Sequence, residues 1–481
     1  MQASGRHATD TGGTAQLRSQ PLETDVLVVG GGHAAMCAAL SARVRGARVL
    51  VAERAPMFYR GGNSRHTRDV RFAHGPGNTY ASGTYPQEEL LADLAGVTGT
   101  EMDTGLARVA VEGSQELPGW MAAQGVAWQK PLAGTLHLSR TNVFMLGGGR
   151  AMLNAYYRKA RRNGVDILYN ADVHAIAVAD GQFRGAALRL EDRDVPVAAR
   201  SVVFAAGGFE ANLAWLGRYW GEAAQNFVVR GSPYNTGDVL AELLELGAMP
   251  VADPQGFHAV AVDGRAPRFD GGIVTRLDSV PFGIVVNRRG ERFYDEGEDF
   301  WPKRYAIWGG LIARQDGQVA YSIVDHAALE NFLPSVFPPL TARTIPELAD
   351  ALGLPRDALT ATVARYNESV HPGRYDPKAL DACATENLVP RKSHWALPIA
   401  VSPYYGYPLR PGITFTYRGV AVDQGAHVRL AGGAVSPNMF AAGEIMAGNI
   451  LRKGYLAGFG LTIGGVFGRI AGEGAALCAL A

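Results

Sequence analysis

Residues 25–53, DVLVVGGGHAAMCAALSARVRGARVLVAE, constrain this chain more than any other stretch. DVLVV is an unbroken apolar run ending in glycine, the pattern of a strand buried on both faces of a parallel sheet. After the glycine turn, MCAALSARVR predicts a helix of small residues that stops at Gly46, and ARVLVAE predicts a second strand ending at Glu53. Strand, glycine turn, helix, strand and acid in that order bind a dinucleotide. Gly30 makes the tight turn. Gly32 lets the backbone, with the amides of His33 and Ala34, approach a pyrophosphate at the helix N-terminus. Ala35 takes the helix-packing position, Glu53 is placed to accept from ribose hydroxyls, and Arg54 follows it at the rim.

Two later segments decide which dinucleotide. VVFAAGGF at Val202–Phe209 is another apolar strand breaking into Ala206, Gly207 and Gly208. MFAAGE at Met439–Glu444 is a third, carrying Gly443 and Glu444, and GFGLTIGGVFGRIAGEGAA follows it as a glycine-punctuated helix. A site assembled from both ends of the chain suits an extended FAD better than a nicotinamide domain. At 481 residues the chain also exceeds one ordinary core, so two domains are expected.

A formal net charge of +1 argues against a nucleic-acid binder. No apolar run approaches the roughly 18 residues that span a bilayer, so no direct membrane insertion is expected. Residues 1–21 are read as a disordered polar tail without an export signal. Cys37, Cys383 and Cys478 form no metal or iron–sulfur spacing, which points to the reducing cytoplasm.

Against that neutral background, YRGGNSRHTRDVRF at Tyr59–Phe72 places four arginines and a histidine around a Gly-Gly pair. Two readings stand: a solvated basic loop, or an anion site brought against the cofactor by its glycines.

These segments resemble the flavoprotein family of fumarate reductase, succinate dehydrogenase, flavocytochrome c and 3-ketosteroid dehydrogenase. The resemblance is carried by VVGGGHAAMCAAL, the loop Gly61-Gly62-Asn63-Ser64, Ala206-Gly207-Gly208, Thr236-Gly237-Asp238, VVNRRGERFYDEGEDFWPKRYAIWGG and AAGEIMAGN. RGGNSRHTR, GTLHLSRTN, LGGGRAMLNAYYR and GERFYDEGEDFWPKRYAIWG are similar to its tricarballylate dehydrogenase branch. The resemblance implies an α/β fold: a Rossmann-like FAD-binding domain over 22–255 and 400–481, with an inserted α+β capping domain over 256–399. It implies that the Gly61–Ser64 loop lies beside the flavin ring, that Glu444 reaches the ribitol, and that Asp238 is a weaker cofactor candidate.

The family chemistry moves a hydride between flavin N5 and a carbon beside a carboxylate. Guanidinium groups suit such a substrate because they hold carboxylates bidentately. The resemblance makes His258 the substrate histidine, or else a satisfied structural one, and Thr275 the carboxylate-binding threonine. Arg276 stands where fumarate reductases carry a glutamate and Ser279 where they carry an arginine, so their proton relay is altered. Arg276 is then a cation for a further carboxylate, or an exposed salt bridge. Arg304 is the expected catalytic arginine, as clamp or as proton acceptor, with Lys303 as competitor because the alignment carries a gap.

Phe415 replaces the family's second substrate histidine and Tyr455 its C-terminal arginine. Arg418 and Arg452 lie nearby in sequence. With Arg65, His66, Arg68 and Arg140 they are expected to rebuild a cage for a polycarboxylate. His66 is also a candidate for a covalent flavin bond, although its register is two positions off.

The expected activity is desaturation of tricarballylate to cis-aconitate, with electrons passing to an acceptor protein, a membrane-associated iron–sulfur partner by the resemblance. The alternatives are another desaturase or ene-reductase of the family, fumarate-like or ketosteroid-like, the latter left open by Tyr305, Tyr417 and Tyr455. A flavin electron-transfer subunit without a substrate site is the remaining one.

Overall fold

The computed structural model describes residues 21–99, 101–131, 138–371 and 373–481. The tail expected over 1–21 falls, apart from Pro21, outside the described residues, as does the first part of GTLHLSRTN.

Strand β1 (Leu22–Val29) runs into helix α1 (His33–Val44) and strand β2 (Val49–Glu53), with Val26–Val28 fully buried as a continuous apolar run requires. Strands β3 (Asp166–Tyr169), β4 (Ala171–Ala179), β5 (Gln182–Leu190) and β6 (Arg193–Phe204) follow. The chain then builds a second sheet from β7 (Val228–Val229), β8 (Phe257–Asp263), β9 (Ile284–Val286), β10 (Ala320–Asp325), β11 (Leu340–Ala342) and β12 (Tyr404–Thr416). It returns to the first sheet with β13 (His427–Arg429) and β14 (Val435–Ala441) and closes in helix α2 (Phe459–Leu480).

The first sheet has the order β13-β14-β6-β1-β2-β3, with β4 and β5 continuing from β6. Its central pairs are parallel, with Val28 opposite both Val51 and Val203, and Phe440 opposite Val203 from the far side. The carboxyl ends of β1, β2, β6 and β14 therefore open on one edge, where a parallel α/β sheet binds its ligand. In the second sheet, long β12 pairs antiparallel with β8, β10 and β11 and parallel with β7. This sheet thus draws on Val228–Val229 and Tyr404–Thr416 as well as on the stretch between them.

The architecture is the expected α/β one, two sheets with separate apolar cores. The expectation of no membrane-length apolar segment needs correction. Helix α2 is long and apolar enough to cross a bilayer by length and composition. Its residues are mostly buried inside the protein, because Gly468 and Gly472 let it lie against the backbone of α1. A side chain at Gly468 would meet the Ala34 carbonyl oxygen at 2.6 Å, and one at Gly472 would strike Ala38. Burial against α1 makes it a core helix.

Candidate active site

The carboxyl ends of the first sheet and the second sheet together enclose a cavity of about 1690 Å³, its open mouth included. A single lining joins Gly30, Gly32 and Glu53 at one end to Arg276 and Tyr305 at the other, so a dinucleotide cradle and a side-chain cluster share one cavity.

One end is built from backbone. Gly30 has φ +107°, and a side chain there would run into the Ala205 carbonyl, so only glycine makes this turn from β1 into α1. Helix α1 starts at Gly32 without a side-chain cap, and the His33 amide donates to Ser64 Oγ at 3.0 Å. Ala34, the next residue, lines the cavity, so the start of the helix offers an anion cradle there. Glu53 is buried at the end of β2, where its carboxylate accepts from the amides of Ala55 and Gly61, each at 2.9 Å. Burial raises its pKa, and the two amides hold it down. Arg54 ties the rim together through Asp238 Oδ2 at 2.5 Å and Asp172 at 3.3 Å.

Gly61, Gly62, Asn63 and Ser64 line the middle, with Ala206, Gly207, Gly443 and Glu444. Asn63 is a strut: its Nδ2 donates to the Thr414 carbonyl at 2.6 Å and its Oδ1 accepts from the Ser232 amide at 2.7 Å. Glu444 lines the cavity against buried Glu210, whose Oε1 also accepts from Asn63 and from Asn235. Burial pushes Glu210 up to about 7 against the pull of its hydrogen bonds to Glu444, Asn235 and Asn63, while burial and then the charge of Glu210 raise Glu444 well above the usual carboxylate range, so the two carboxyls share a proton near neutrality.

The other end is built from side chains. Arg68, Arg230 and Arg276 line it together with His66, His258, Tyr305 and Tyr455. Arg230 follows β7 and is only 5% exposed. Its Nε donates to Thr414 Oγ1 at 2.9 Å, while its Nη1 is buried without a protein partner. Burial, with the positive charges of Arg276 and Arg68, lowers its pKa to about 10, so it remains a cation at neutral pH. Arg276 grips Asp278 through Nε at 2.8 Å and Nη2 at 2.9 Å, and its guanidinium lies 4.9 Å from the Tyr305 ring centre. Arg68 approaches Asp69 at 3.5 Å. His258 stacks on Tyr455 with ring centres 4.1 Å apart. Burial and the nearby arginines hold its pKa well below the usual histidine range, so it is a neutral imidazole. Burial pushes Tyr305 up to about 12, against the pull of Arg276 and Arg230.

The residues expected from sequence separate into two groups. At the dinucleotide end Gly30, Gly32, His33, Ala34, Glu53, Arg54 and Asp238 line the cavity. Ala35 packs within α1, the His33 ring turns inward to the Leu461 carbonyl at 3.1 Å, and Gly208 sits behind Glu444. At the other end His66, Arg68, His258, Arg276 and Tyr455 line it.

Seven expected residues do not. Arg304 turns to Glu298 at 3.0 Å, and the next residue, Tyr305, faces the cavity in its place. Lys303 pairs with Asp93 at 2.6 Å. Thr275 closes a turn onto the Gly272 carbonyl at 2.8 Å. Arg140 is held by Glu89, with Nη1 at 3.1 Å from Oε2. Arg65 stacks 5.2 Å from the Tyr59 ring and donates to the Phe58 carbonyl. Arg418 reaches the Ala252 carbonyl at 3.4 Å, and Arg452 also lies outside the lining. In each explained case a nearer acceptor or ring has claimed the side chain. Arg276 is no exposed salt bridge, since its side chain is 7% exposed. The sequence reading missed Arg230, Tyr305 as a lining residue in its own right, and Glu210.

The glycine cradle, the uncapped helix and the buried acid at the end of β2 fit FAD. The family described as FAD binding domain matches residues 25–460. An NADH:acrylate oxidoreductase of Vibrio harveyi is 31% identical over 294 residues, covering 57% of this chain and 26% of that protein. An NADH:fumarate oxidoreductase of Klebsiella pneumoniae (strain 342) is 25% identical over 473 residues, covering 95% of this chain and 48% of that protein. The chain thus spans half or less of the length of these two relatives. In fold it is similar to a 3-ketosteroid-Δ4-(5α)-dehydrogenase from Rhodococcus jostii RHA1 in complex with 4-androstene-3,17-dione. That structure has a TM-score of 0.73 and 23% identity, covering 96% of this chain and 99% of its own.

Proposed function

The chain belongs to the FAD binding domain family, and on that premise we propose that it is an FAD-dependent oxidoreductase acting on a carbon–carbon bond beside a carboxylate. In its most specific form the reaction is desaturation of tricarballylate to cis-aconitate. The supporting observation is the convergence of Arg68, Arg230 and Arg276 on one end of the cavity, with Arg230 Nη1 buried and unpartnered. A buried donor without an acceptor costs free energy on the order of 1–3 kcal/mol, more when charged, and a carboxylate relieves it.

The Ala34 amide, Glu53, the Gly61–Ser64 loop and Glu444 would hold the cofactor. FAD bound there supplies the hydride acceptor. Arg230 fixes the substrate carboxylate and stabilises the charge that spreads into it as the adjacent C–H bond breaks. Arg276 and Arg68 orient further carboxylates through the guanidinium N–H groups their aspartates leave free. Tyr305 stands beside them as the proton-exchanging group. With its pKa pushed up to about 12, it is a donor at neutral pH and serves reduction of a double bond most readily. Desaturation requires the phenolate, and Arg276 lies where it stabilises that charge.

An oxo acid with a single carboxylate is the second reading. The Tyr305 hydroxyl favours it, since it has no protein partner among the described residues and would donate to a carbonyl. In both readings reoxidation falls to an acceptor protein on the cytoplasmic side, an iron–sulfur partner by the family resemblance.

Anaerobic mixing of the yellow protein with tricarballylate, succinate and a 3-ketosteroid tests the assignment through loss of flavin absorbance. Bleaching by tricarballylate is expected, and bleaching by succinate or steroid alone removes it.

A further inference from the structure

Three guanidiniums meet at the acid end of the cavity, but two aspartates accompany them. Asp69 lies beside Arg68, and its Oδ1 accepts from Asn142 Nδ2 at 2.8 Å. Asp278 stands behind Arg276, outside the cavity lining, gripping it with both oxygens. It is held in turn by the Trp301 indole, whose Nε1 donates to Oδ1 at 2.7 Å. Of the three cations, Arg230 alone has no carboxylate among the described residues. The surplus of fixed charge facing a ligand is therefore one.

We infer that Asp278 sets how many carboxylates the site accepts by offsetting the charge of Arg276, to which it is tethered. The inference rests on the reading that an acid is held by this guanidinium cluster. Coulomb energy scales with ligand charge, so one fixed negative charge at this distance penalises a triacid about three times as strongly as a monoacid. Asp278 thereby makes selection by charge separable from binding itself, which Arg230 supplies. Arg276 keeps its place without the tether, since it is buried and packed over the Tyr305 ring.

The test is titration of the oxidised FAD-loaded protein with acetate, malonate and citrate at low salt, reading Kd from the flavin absorbance shift. Asp278→Asn is expected to tighten binding by about three- to tenfold per carboxylate, so citrate gains most and acetate least. Asp278→Glu, which keeps the charge, is expected to hold the wild-type ratio. Structural damage weakens all three acids, so a gain graded by charge separates selection from disruption. Equal changes for the three acids, or a uniform loss in Asp278→Asn, overturn the inference. If no acid perturbs the wild-type spectrum, the carboxylate reading itself fails and the inference falls with it.

Discussion

The dinucleotide end of the cavity is made of backbone, and the acid end is made of side chains. At the first, Gly30, Gly32 and the start of α1 present amides, and the chain path alone fixes their geometry. At the second, Arg68, Arg230, Arg276 and Tyr305 arrive from four separate segments, Arg68 and Arg276 beside aspartates and Arg230 on the Thr414 hydroxyl. A backbone site tolerates almost no change at its glycines but says little about the ligand's identity. A side-chain site is open to rebuilding, one cation at a time, and carries the specificity.

The sharpest way to break this contrast is Gly30→Val. The β-carbon meets the Ala205 carbonyl in a left-handed backbone, so the variant should lose FAD entirely and elute colourless on gel filtration. A yellow protein with normal FAD content would show that the cradle is not set by the turn. At the acid end the loss should be graded. Tyr305→Phe should keep FAD and lower the rate of flavin reduction by about 10²-fold, the usual scale of a proton-transfer group. An unchanged rate would assign the proton to another residue.

A smaller effect lies between the two ends, at Glu210 and Glu444. The folded-state pKa of Glu210 is about 7, above its ordinary 4.5. The protonated carboxyl therefore stabilises the fold fully at pH below about 4.5, and that stability is lost as pH rises through 7. Glu210→Gln carries a permanent neutral group. Its stability relative to wild type should improve by up to about 3 kcal/mol between pH 5 and pH 8, read from urea unfolding of the apoprotein. A pH-independent difference would show that the pair does not share a proton.

The contrast also explains what was legible in the sequence. The cradle is contiguous, and its residues are dictated by local conformation, so DVLVVGGGHAA and its strand partners announce it. The carboxylates that claim the arginines are not announced: Glu89 stands 51 residues from Arg140, and although Asp278 and Glu298 lie close in sequence to Arg276 and Arg304, only the fold selects them as partners. Arg304 and Tyr305 are neighbours, and a four-residue gap in the resemblance is enough to choose the wrong one. Arg230 had a faint signal, a charged residue ending the buried pair Val228-Val229. Glu210, two residues after the Gly-Gly of GGFEAN, had a clearer one. Helix α2 shows the converse: hydropathy alone matches a membrane span, and only its packing on α1 assigns it to the core.

The central claim is that Arg230, and not Arg304, anchors the acid. It is tested most directly by anaerobic stopped-flow reduction of Arg230→Ala and Arg304→Ala, both loaded with FAD, using the acid that bleaches wild type fastest. The account predicts at least ~10²-fold slower bleaching in Arg230→Ala. It predicts a rate within about threefold of wild type in Arg304→Ala, whose partly exposed pair with Glu298 contributes little. Wild-type bleaching by Arg230→Ala, or its abolition in Arg304→Ala, would contradict it.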